Sequence, residues 1–153
     1  MFLVRRQVQV EQDLATIAQE QIETGQEQAR TQFEDDLARE YREIAQRIPV
    51  KALLGEELND KEYAAALDSF YHYIDLSNTQ IFLRQEGRVS LKTWESWCEG
   101  IAWNLSLPAF CKAWAEIGPK TERTNKERIF RELRQLECNE FEGDPHDPDF
   151  WES

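Results

Sequence analysis

Histidine is nearly missing from this chain of 153 residues, which holds only His72 and His146. That scarcity narrows the nucleophilic and metal chemistry that relies on imidazole. Glycine (6) and proline (5) are also sparse, while glutamate and glutamine dominate the polar residues, a balance that suits long helices rather than sheets. The three cysteines, Cys98, Cys111 and Cys138, show neither CxxC nor zinc-ribbon spacing. With an odd count and no secretory signal before them, they read as reduced thiols in a cytoplasm. Basic residues are outnumbered 18 to 30, for a formal charge of −12, a field that repels nucleic-acid phosphates and anionic lipid. A general polynucleotide or membrane-surface binder is therefore not expected. Long apolar runs are lacking too. "MFLVRRQ" is apolar for about four residues before Arg5 and Arg6, where a spanning helix needs about twenty. Two arginines after a short apolar end also match the cytoplasmic exit of a membrane helix, so attachment through a missing anchor is kept as the alternative to a free cytoplasmic chain.

What the sequence does hold is helical periodicity. Between Gln7 and Ile48 there is no proline and a single glycine. Small or apolar residues recur at Leu14, Ala18, Ile22, Gly25, Ala29, Phe33, Leu37, Tyr41, Ile44 and Ile48 in steps of three and four. The mean step of roughly 3.8 drifts away from a left-handed coiled-coil seam, toward a straight or right-handed association. One amphipathic arm over 1–48 is expected, about 60 Å long over its forty-odd residues. It is too long to bury its whole stripe on a body of under a hundred residues. Its second half, Phe33 to Ile48, should dock on that body, and Pro49 should end it. Its first half, with Leu14, Ala18, Ile22, Gly25, Ala29 and Phe33, is the candidate interaction surface, for a second copy or a protein partner.

Residues 50–138 read as a compact bundle of about four helices. Asn59 with Glu62 forms a capping box, and Gly87 is a C-terminal stop. Between them Tyr63, Leu67, Phe70, Ile74, Ser77 with Asn78, and Ile81 share one face, on which a buried Asn78 needs a hydrogen-bond partner. Ser90 caps a helix whose stripe is Trp94, Trp97, Ile101 and Leu105. Pro108 opens the next, with Phe110 and Trp114 on one face, ending at Gly118 and Pro119. A last helix, Thr121 to Cys138, turns Ile129, Phe130, Leu133 and Leu136 inward. It adds outward pairs Glu122–Lys126 and Glu127–Arg131. Aromatics at helical spacing over successive helices are read as core, with Trp97 and Trp114 each filling an inter-helix position and Cys98 and Cys111 inert beside them. The basic residues Lys120, Arg123, Lys126, Arg128, Arg131 and Arg134 read as a solvated face. The tail, 139–153, is acidic, broken by two prolines and expected to be largely disordered, with Phe150 and Trp151 as a short docking motif.

No GxSxG, P-loop or dinucleotide fingerprint occurs. Asp68, His72 and Asp75 lie at neighbouring positions of one helix, and Glu95 and Glu99 form an i,i+4 pair. Either set could do carboxylate or imidazole chemistry only if burial shifted its titration. No cofactor or metal is called for. The stretch "FLRQEGRVSLKTWESWCEGIAWNLSLPAFCKAW" resembles an uncharacterised family of small bacterial helical domains, through Gly87, Trp94, Trp97, Gly100, Pro108, Phe110 and Trp114. The resemblance implies a layout in which a glutamine-rich helical linker, often behind membrane helices, precedes the domain. The expected class is all-α and the expected role a non-enzymatic interaction or scaffold module. A membrane-tethered regulatory or defence-related domain is the alternative, and an enzyme using Glu95, Glu99 and His72 ranks third.

Overall fold

The computed structural model describes residues 2–124 and 129–152. The fold is all-α: among these residues, six α-helices and a one-turn 3-10 helix follow one another without a strand. The helices are α1 (Phe2–Ala45), α2 (Val50–Leu53), α3 (Asp60–Gln85), α4 (Leu91–Ser106), α5 (Pro108–Thr124) and α6 (Arg131–Cys138). Two compact units meet inside α1, between Asp36 and Leu37. Pro49 had placed the division a dozen residues later; Leu37, Ile44 and Ile48 are buried and so belong to the body.

The first unit is helical from Phe2 onward and holds itself together locally. Gln9 donates to Asp13 (2.9 Å), Gln19 to Glu23 (3.1 Å) and Gln32 to Asp36 (3.0 Å). Such i,i+4 amide–carboxylate bonds stabilise a helix by about 0.2–0.5 kcal/mol each.

In the second unit α3 is the central element, packed by α4, α5 and α6. The Asn59 capping box forms in full, and Ser90 accepts from the Thr93 N–H at 3.1 Å. Gly87 ends α3 at φ 72°, a left-handed conformation that costs glycine nothing. Phe110 fits edge-on against both Phe70 and Tyr73, and Ile74, Ile81, Leu133 and Leu136 are sealed around that cluster. Asn78 meets its need across helices: it accepts from the Leu133 N–H (2.9 Å) and donates to Glu132 (3.0 Å). It thereby caps α6, whose own N-cap residue, Phe130, has no side-chain acceptor to offer.

Four expectations are corrected. First, α5 does not stop at Gly118 and Pro119 but runs to Thr124. Arg134 braces that turn from α6, donating to the Gly118 carbonyl (2.8 Å) and the Thr121 hydroxyl (2.9 Å) and lying over the Trp114 ring. Second, two residues of the basic face do more than meet solvent: Arg134 is this brace and Arg131 stacks on Trp151, while Lys120 is exposed and pairs with Glu116. The side chains of Arg123, Lys126 and Arg128, and the pairs Glu122–Lys126 and Glu127–Arg131, fall outside the described residues.

Third, the tail is ordered. Arg84 grips Asp144 with two hydrogen bonds of 2.8 Å, the Trp94 indole donates to the Gly143 carbonyl (3.0 Å), and Pro145 and Phe150 are buried. Its acidic, proline-broken composition resembles disorder, but a bidentate arginine and two apolar anchors give it specific partners. Phe150 and Trp151 dock here, on their own body: Asn139 donates to the Phe150 carbonyl at 2.9 Å. The Arg84 guanidinium holds the Asp144 carboxyl below its ordinary range.

Fourth, the tryptophans are not all core. Trp94 is 1% exposed, whereas Trp103 is 67% exposed and Trp97 and Trp114 are half-buried. Trp94→Ala is therefore expected to cost about 3–5 kcal/mol and Trp103→Ala less than about 0.5 kcal/mol. Denaturant unfolding of the two variants measures the contrast.

Candidate functional site

Two surfaces remain once the core is assigned. One is the face of α1 chosen from sequence. Leu14 and Ile22 are 60% and 55% exposed, and Ala18, Gly25 and Ala29 are exposed beside them; Phe33 is half-buried. Val10 and Ile17, outside the chosen stripe, are exposed as well. Glycine in a helix interior costs about 1 kcal/mol relative to alanine, so Gly25 calls for a reason. A Cβ there would meet nothing within 4 Å. Its missing side chain leaves a shallow notch bordered by Ile17, Gln21 and Gln28.

The other surface went unnoticed in the sequence. The last turns of α1 meet α3 and α4 in a cleft of about 370 Å³. Ala38, Tyr41 and Arg42 come from α1, Tyr73 and Gln80 from α3, and Trp97, Gly100 and Asn104 from α4. The Asn104 amide donates to the Tyr41 hydroxyl (3.2 Å) and the Tyr73 hydroxyl (3.1 Å), fixing both rings. Burial pushes the Tyr73 phenol up to about 12, so it stays protonated. Gln80 is 7% exposed, and among the described residues its side-chain amide has no hydrogen-bond partner. Every fully sealed side-chain N or O atom in this set is partnered; the Gln80 amide therefore keeps its opening to the cleft. Sequence reading took Tyr41 as a stripe residue and Trp97 as core, and passed over Gln80. Only the packing of three helices brings them together.

The carboxylate and imidazole candidates do not converge. Asp68, His72 and Asp75 are all exposed on α3. Glu95 and Glu99 border a shallow groove with Cys98, Phe141 and Asp144, and His72 is not among its lining residues. Among the described residues no group of three or more His, Cys, Asp or Glu is placed to hold a metal ion. No described helix is long and apolar enough to cross a membrane. No family model matches the chain, and comparison with curated proteins and with solved structures found no significant match.

The thiols separate differently from expectation. All three are free, but Cys111 is exposed on the outer side of α5, together with Cys138, and only Cys98 is buried. Cys98 donates to the Phe141 carbonyl at 3.3 Å, and burial raises its pKa to about 11. The thiolate is the reactive form, so a thiol reagent at neutral pH is expected to modify Cys111 and Cys138 at least tenfold faster than Cys98. Mass-spectrometric labelling of the folded chain resolves the three sites, and equal rates would contradict the assignment.

Proposed function

We propose that this chain is a non-enzymatic helical interaction module whose first helix pairs with a second copy of itself. The observation that carries the reading is Gly25. It stands in mid-helix, destabilises that helix, and leaves open space on a face where Leu14, Ile17 and Ile22 are exposed. A notch beside large apolar side chains suits a helix that receives a knob from a partner.

Charge favours an antiparallel arrangement. The helix begins with Arg5 and Arg6 and reaches Glu34, Asp35 and Asp36 toward the end of the first unit, so two copies running in opposite directions bring unlike charges together. In the register that seats Leu14 over Gly25 of the second copy, Val10 faces Ala29, Ile17 faces Ile22 and Arg5 faces Glu34. Leu14 and Val10 thus meet small residues of the second copy, and the two isoleucines meet each other near the centre. Alanine and glycine bury little apolar area, which keeps the affinity modest. The free thiols support a reducing, cytoplasmic setting.

Sedimentation over a hundredfold concentration range tests this. The full chain is expected to shift from monomer to dimer, and residues 31–153, which retain the whole second compact unit, to remain monomeric. Gly25→Leu should weaken the dimer at least tenfold, about 1.4 kcal/mol, while helix content holds or rises. A full chain that stays monomeric throughout, or a Gly25→Leu dimer of unchanged strength, would overturn the proposal.

A further inference from the structure

We propose that the cleft between α1, α3 and α4 binds a small planar heteroaromatic ligand carrying an anionic substituent, of the class of purine mononucleotides. The inference is independent of the pairing of α1.

Gln80 is the starting point. A primary amide holds two donors and an acceptor, and at 7% exposure with no bond to the described residues Gln80 can present them only through the opening of the cleft. The groove beside Glu95 and Glu99 offers a contrast, because the polar side chains that are not exposed there are engaged within the chain. There Asp144 is held by Arg84, the Trp94 indole by Gly143 and the Cys98 thiol by Phe141. In the cleft, Asn104 is engaged by the two tyrosines, whereas the buried Gln80 amide faces the space with no hydrogen bond to another described residue. A glutamine amide pairs bidentately with a neighbouring donor and acceptor on a ring edge, as with N6 and N7 of adenine.

The walls suit a flat ring. Trp97 is half-buried and lines the cleft together with Tyr41 and Tyr73, and aromatic side chains stack on bases of every kind. The volume falls at the small end of the range for small-molecule sites, which sets the limit near a single nucleotide. Arg42 borders the opening and is exposed, with no ion pair recorded for it among the described residues. In a chain of net charge −12, an unneutralised guanidinium at the mouth of a cleft is placed to take a phosphate or carboxylate. Gly100 completes the site. It lies in the middle of α4, where glycine weakens the helix, and a Cβ added there would meet nothing within 4 Å. A side chain at that position would extend into space the cleft now holds open.

Calorimetric titration of the full chain with AMP, adenosine, UMP and inorganic phosphate tests the site. AMP is expected to bind saturably with one site per chain, adenosine and UMP at least tenfold more weakly, and phosphate without measurable heat. Gly100→Leu, which removes no polar group and adds a better helix former, should weaken AMP at least tenfold while melting at or above the native temperature. Gln80→Leu should lose AMP to the same extent without a fall in Tm, since it removes no hydrogen bond made within the described residues. Arg42→Ala should reduce AMP to the level of adenosine. No saturable binding of AMP, equal binding of phosphate alone or of UMP, or an unchanged affinity in Gly100→Leu would each overturn the assignment.

Discussion

Phe110 meets the rings of Phe70 and Tyr73 edge-on, at centroid separations of 5.0 and 5.1 Å, and the body is arranged around that contact. Edge-to-face aromatic pairs contribute about 0.5–1.5 kcal/mol beyond the area they bury. Here they fix the crossing of α5 on α3. With α3 and α5 set, Tyr73 presents its hydroxyl to Asn104 of α4, and Asn104 reaches on to Tyr41 of α1. One hydrophobic contact therefore determines where the polar side chains of the cleft stand.

The tail is a second consequence of that core. Arg84, in the last turn of α3, holds Asp144, and the same arginine also donates to the Val89 carbonyl (2.9 Å) just after the turn at Gly87. The tail then covers Trp94, whose indole would otherwise lack an acceptor when buried. What looks in composition like a loose acidic end is a strap that satisfies the most deeply buried tryptophan.

Features set by local chemistry could be read from the chain. The Asn59 and Ser90 caps, the Gly87 stop and the start of α5 at Pro108 all follow from side chains acting within a few residues of themselves. The face of α3 was legible in part: Tyr63, Phe70, Ile74 and Ile81 are buried, but so are Tyr73, Leu76, Gln80 and Leu83 beside them, because neighbouring helices pack on more than one side. What escaped depends on partners distant in sequence. Phe130, Glu140 and Phe141 adopt positive φ without being glycine, a strain of about 1–2 kcal/mol at each, and no local pattern announces it. Phe130 is held there by ring contacts with Tyr71 and Trp114. Trp97 has the spacing of a core residue yet lines a cleft, because periodicity shows that a face exists but not how wide it is. The cleft needs three helices to assemble it, and Gln80 carries no signature among so many glutamines.

Two mid-helix glycines, Gly25 and Gly100, share a property: neither has an atom within 4 Å of where its side chain would be. Both helices give up stability at these positions, and the two proposed surfaces, one for a helix and one for a small molecule, are each built on one of them. The proposed pairing makes the first helix depend on a second chain while the body is stable in itself, and amide hydrogen exchange measured at two protein concentrations tests this dependence most directly. The account predicts strong, concentration-independent protection in α3 and α5, and protection of residues 8–30 that rises with concentration. Protection of residues 8–30 that is the same at both concentrations would contradict it.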